Sequence, residues 1–80
     1  MDVTFYGVRG STPSPAECNR RYGGNTAAVV LRHGREAPIV FDLGTGLRMW
    51  GEALPAGQPL RATALVTHIH WDHVQGLPFF

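Results

Sequence analysis

The sequence predicts an α+β fold, on three observations. Short apolar runs bounded by Gly and Pro clusters read as strands. Two of them flank a polar turn and form a hairpin rather than a strand–helix–strand unit. A single stretch, containing Leu47, Met49, Trp50 and Leu54, carries apolar residues at roughly helical spacing.

The first strand is expected over Asp2–Val8, where Val3, Phe5 and Val8 stand among polar or small neighbours, and it stops at Gly7 to Gly10. Gly10-Ser11-Thr12-Pro13-Ser14-Pro15 excludes a helix interior and opens a loop that runs through Tyr22-Gly23-Gly24-Asn25. A connection of that length is uncommon in a compact domain and is usually functional or disordered. Thr26–Leu31 is continuously small, β-branched or apolar, the pattern of a strand buried on both faces. His33-Gly34-Arg35-Glu36 turns the chain and Pro38–Phe41 returns it. A helix is expected over Thr45–Ala53, ended by Pro55. A further apolar strand covers Ala62–Thr67, and Val74–Phe80 reads as the opening of another helix. The apolar terminus Leu77-Pro78-Phe79-Phe80 gives the expectation that residues 1–80 are one part of a single larger domain.

Composition narrows the function classes. The 80 residues are 44% hydrophobic and only 16% charged, which argues against a disordered chain. A core this small is marginal without a staple. Cys18 is the only cysteine, so a disulfide within the chain is excluded and a metal stays open. All 7 basic residues are scattered arginines, with a net charge of +1, and they form no stripe for charge-driven DNA binding. Met1–Tyr6 has neither the cationic nor the apolar region of a signal peptide, and no apolar run approaches a bilayer span, so no membrane partner is expected. The single cysteine makes a cytoplasmic location the default expectation.

The chemistry is concentrated in Thr67-His68-Ile69-His70-Trp71-Asp72-His73, which holds three of the chain's four histidines. With the chain's own composition, that His/His/Asp/His pattern arises by chance roughly once in three thousand such chains. In extended backbone, side chains at i, i+2 and i+4 share a side, so His68, His70 and Asp72 can converge beyond the strand end. His73 joins them only if the chain turns there, and then His68 and His70 would serve one metal, Asp72 and His73 a second. Imidazole and carboxylate ligands suit zinc, and also iron or manganese. Two alternatives stay open on the residues alone. One has Asp72 as a helix cap among polar loop histidines; the other is a purely structural metal site. Asp42 also has two readings: a partner that orients a ligand histidine, or the cap of the following helix. Arg9 and Ser11 of the first loop could reach a substrate phosphate; the alternative for Arg9 is a solvated loop arginine.

The same residues carry a family resemblance. Thr67–His73 resembles the Thr-His-x-His-x-Asp-His signature of the metallo-β-lactamase superfamily, and Phe41-Asp42-Leu43-Gly44-Thr45-Gly46 sits where that superfamily has an Asp-x-Gly turn. Gly7-Val8-Arg9-Gly10-Ser11-Thr12-Pro13, Tyr22-Gly23-Gly24-Asn25-Thr26 and Gly76-Leu77-Pro78 resemble the ribonuclease Z-like and cyclic-nucleotide phosphodiesterase-like branch. The resemblance implies the amino-terminal part of an αββα sandwich with a dinuclear site. It implies His68 and His70 on a first divalent metal and Asp72 and His73 on a second, with Asp42 supporting them. A third histidine, a bridging aspartate and a last histidine would lie outside these 80 residues.

The expected activity is metal-dependent hydrolysis of a phosphodiester, a cyclic nucleotide or an RNA-like substrate, by a metal-bound hydroxide with Asp72 as the catalytic carboxylate. Thioester or lactone hydrolysis on the same fold is the alternative within enzymes. A non-catalytic metal-binding fragment is the alternative outside them. The 80 residues alone are expected to be inactive. Exposed sheet edges in a part-domain leave a homodimer open.

Overall fold

The computed structural model describes all residues from Met1 to Phe80. Four strands, β1 (Asp2–Gly7), β2 (Ala28–Arg32), β3 (Ile39–Phe41) and β4 (Thr63–Leu65), form one sheet in the order β1-β2-β3-β4. The first two pairings are antiparallel and the third is parallel, which makes the sheet mixed and the fold α+β. One helix, α1 (Gly46–Ala53), lies in the crossover between β3 and β4. That connection follows from the pairing: parallel neighbours cannot be joined by a tight turn. No helix is long and apolar enough to cross a membrane.

The core lies on one sheet face. Ala28, Val30 and Val40 pack there against Leu47 and Trp50 of α1, all at most 2% exposed. Phe80 leans on the Trp50 ring at 5.3 Å between centroids. The Trp50 indole N–H is buried without a partner, a local penalty accepted for the ring's apolar burial.

The opposite face is bare. The register places Phe5, Val29, Phe41 and Leu65 in one row across all four strands, and Val3, Leu31, Ile39 and Thr63 in the next. Phe5 and Val3 remain more than half exposed. The expected two-sided burial of Thr26–Leu31 is therefore corrected to alternation, with Ala28 and Val30 inside and Val29 and Leu31 only half covered. Only α1 is available to cover a face, so only one face is covered.

Two other expectations change. The segment after His73 forms no α-helix. Gly76 bonds back to Leu43, and a 3-10 turn at Leu77–Phe79 contains Pro78, which has no N–H to extend a ladder. The long first loop is ordered by its own hydrogen bonds and a 3-10 turn at Glu17–Asn19.

Candidate metal centre

β3 and β4 run parallel, so their carboxyl ends lie side by side, and the two segments that carry the chemistry leave from there. Asp42 follows β3 with φ +65, the left-handed region that aspartate tolerates better than most residues. This conformation turns its side chain from the sheet toward β4. Oδ1 accepts from the Thr67 N–H at 2.8 Å and from the Thr67 hydroxyl at 3.0 Å, and Oδ2 lies 3.0 Å from the same hydroxyl. Oδ2 also stands 3.0 Å from His73 Nδ1, close to it but poorly aligned for a hydrogen bond. Burial pushes the Asp42 carboxyl up, but the Thr67 N–H, His73 and the Thr67 hydroxyl together outweigh it and hold it below the usual aspartate value. Asp42 caps no helix: the first residue before α1 is Thr45, and no side chain caps that end.

The Thr67 hydroxyl is shared. It lies 3.0 Å from His68 Nδ1 as well as from Asp42. A hydroxyl has one proton, and an ionised carboxylate can only accept. The proton therefore goes to Asp42, and the Thr67 oxygen accepts from His68 Nδ1–H. This network assigns the His68 tautomer that leaves the Nε2 lone pair free.

The remaining residues close around this pair. The chain turns at Trp71–His73, as a shared site for Asp72 and His73 requires. The His68 ring lies 4.5 Å from His70 and 4.0 Å from His73 between centroids. His73 Nε2 stands 3.2 Å from Asp72 Oδ2, and both side chains are largely buried. The structure thus brings His68, His70, Asp72, His73 and Asp42 into one neighbourhood. It leaves His33 in the β2–β3 turn, away from the others.

The donors fit divalent zinc in kind: three imidazoles, one with its lone pair freed by the Thr67 bond, and a carboxylate. They are neighbours without being a finished cage, and no three His, Cys, Asp or Glu side chains gather closely enough to hold an ion alone.

The close backbone approach at Gly44 and Gly46 is what the sequence leads one to expect, but not the threonine clasp beneath the site. Thr26 and Thr45 clasp each other: Thr45 N–H donates to Thr26 Oγ1 at 2.7 Å, and Thr26 N–H to Thr45 Oγ1 at 2.8 Å. Gln75 Nε2 reaches Thr26 Oγ1 at 3.3 Å. Gly44 and Gly76 let backbones meet here: a Cβ on Gly44 would overlap Thr26 Oγ1, and one on Gly76 would overlap the Gly44 carbonyl. Gly-Thr-Gly at 44–46 was the available signal, but its threonine partner lies 19 residues away. Arg9 makes no hydrogen bond to the histidines. Its guanidinium donates to the Thr12 carbonyl at 2.6 Å and to Asn19 Oδ1 at 3.1 Å, which makes it a brace of the first loop. Trp71, between two of the candidate ligands, is 69% exposed.

The mixed sheet with its single helix carries a histidine segment at its carboxyl end. The chain is a distant homologue of metallo-β-lactamase-fold enzymes and matches the amino-terminal part of ribonuclease Z-type proteins. It is 37% identical over 78 residues to ribonuclease Z of Natronomonas pharaonis, covering 98% of this chain and 22% of that protein. It is 38% identical over 80 residues to the human zinc phosphodiesterase ELAC protein 1, covering 98% of this chain and 19% of that protein. Against ribonuclease BN of Cronobacter sakazakii the identity is 33% over 88 residues, with 98% and 24% covered. The chain spans about a fifth of the length of these curated relatives. No family model matches it, and no solved structure matches it significantly.

Proposed function

We propose that residues 1–80 supply part of a single metallo-β-lactamase-fold domain whose activity is metal-dependent phosphodiester hydrolysis, on an RNA-like or cyclic-nucleotide substrate. The observation that carries this reading is the pairwise adjacency of His68 with His70 and His73, and of His73 with Asp72 and Asp42, at the carboxyl end of a parallel strand pair. The likeness to proteins named zinc phosphodiesterase and ribonuclease supports the substrate class.

His68 and His70 would hold one divalent ion, and Asp72 and His73 a second, zinc in preference to iron or manganese. When bound, such a pair supplies an acidified water as nucleophile and positive charge against the phosphoryl oxygens. The chain's own residues do the rest. Thr67 keeps the His68 proton on Nδ1. Asp42 holds Thr67 and faces His73, fixing both strand ends. Asp72 orients the attacking water and takes its proton. These 80 residues lack enough ligands to complete both coordination shells, so alone they are inactive.

The test is one assay of the full gene product, metal-loaded, against a bis-nitrophenyl phosphate, a lactone and a thioester. Diester cleavage exceeding the other two is expected, with Asp72→Asn reducing turnover by at least about a hundredfold. Lactone or thioester turnover without diester cleavage would reassign the substrate. No hydrolysis with metal bound would favour a non-catalytic metal-binding role.

A further inference from the structure

We propose that the Gly10–Thr12 turn is a positioning device for Asp72, acting through the backbone N–H of Ser11. That N–H donates to Asp72 Oδ2 at 3.1 Å, across 61 residues of chain. The same oxygen faces His73 Nε2 at 3.2 Å. Both contacts therefore fall on Oδ2 and leave Oδ1 as the free oxygen of a largely buried carboxylate.

The turn is built for this contact. Ser11 has φ +64, and Thr12 N–H closes onto the Gly10 carbonyl at 2.9 Å. That is a three-residue turn of the rare, strained hand. A non-glycine residue persists there only where its surroundings over-determine it. Two features do so: Arg9 clamps the Thr12 carbonyl and Asn19, and Asp72 receives the amide. The Ser11 side chain makes no hydrogen bond, so what matters is the direction of the N–H, which φ sets.

What Asp72 then does rests on the phosphodiesterase reading, but the contact itself does not. The experiment uses the full gene product in three forms. Ser11→Gly suits the positive φ and keeps the N–H. Ser11→Val disfavours that φ and swings the N–H away. Wild type and Ser11→Gly should agree within about twofold in zinc affinity, read by chelator competition, and in kcat. Ser11→Val should weaken zinc binding at least about tenfold, within the range for lost supporting bonds at metal sites. Equal zinc affinity and kcat in all three forms would overturn the inference while leaving the functional reading intact. No zinc binding or hydrolysis by the wild type would overturn that reading instead. Should Ser11→Val fail to fold, amide hydrogen exchange decides. The Ser11 amide should exchange at least tenfold faster in Asp72→Ala than in wild type, and an unchanged rate would overturn the proposal.

Discussion

Asp42 and His68 share no hydrogen bond, yet one oxygen joins them: Thr67 Oγ1 lies 3.0 Å from the carboxylate and 3.0 Å from His68 Nδ1. The hydroxyl donates one way and accepts the other, so the charge on Asp42 dictates which nitrogen of His68 keeps its proton. Thr67→Val removes only this hydroxyl and keeps the shape and the backbone bond. It should reduce zinc affinity of the full protein about ten- to a hundredfold, whereas Thr67→Ser retains it. Chelator competition reads both.

Asp42 also bears on stability. Asp42→Ala strands the Thr67 N–H and should cost about 1–3 kcal/mol in denaturant unfolding. Asp42→Gly loses the same bonds but suits φ +65, and should be less damaging than Ala by about 1 kcal/mol. The carboxyl is depressed from 3.8, so its contribution is complete above that pH and lost as pH falls through the lower folded value. The stability gap between wild type and Asp42→Ala should therefore narrow as the pH falls below 3.8.

Packing beneath the site should tolerate no added carbon. Gly44→Ala and Gly76→Ala drive a methyl into Thr26 or into the Gly44 carbonyl, and each should lower stability by more than about 2 kcal/mol. Gly10→Ala, with open space around it, is the control and should change stability by less than about 0.5 kcal/mol. Thermal unfolding separates the three.

Metal content should follow the cluster. His68→Ala or His70→Ala in the full protein should remove bound zinc and activity. His33→Ala, in its remote turn, should change neither. Loss of metal in His33→Ala as complete as in His68→Ala would reject the assignment.

The isolated 80 residues should associate. The row Phe5–Val29–Phe41–Leu65 forms an apolar face that only a partner surface can dry. Sedimentation should show oligomers, with a broad unfolding transition. A sharp transition from a clean monomer would contradict this.

The hairpin, the helix and the histidine segment were legible because each is local: a turn between apolar runs, a 3.6-residue period, a seven-residue motif. Three features were not. The one-sided burial of β2 depends on what covers the sheet, which a continuous apolar run does not encode. The absence of a last helix depends on Gly76 bonding Leu43, 33 positions earlier in the chain. The clasp of Thr26 with Thr45, and the reach of Ser11 to Asp72, are polar contacts between distant segments and leave no periodic trace. The candidate ligands were visible in the sequence; the groups that aim them were not.

β4 is only three residues long, edges the sheet, and has every residue exposed, yet the histidines hang directly from its end. Its pairing with β3, three residues long, is thus a short joint between the site and the scaffold. Opening that joint would release residues 63–70 while β1, β2, β3 and α1 stay closed around Trp50. An ion that bridges the histidines to a carboxylate anchored elsewhere would penalise each such opening. Occupancy and local order would then rise together, and the free segment would exchange its amides faster than the hairpin that carries it.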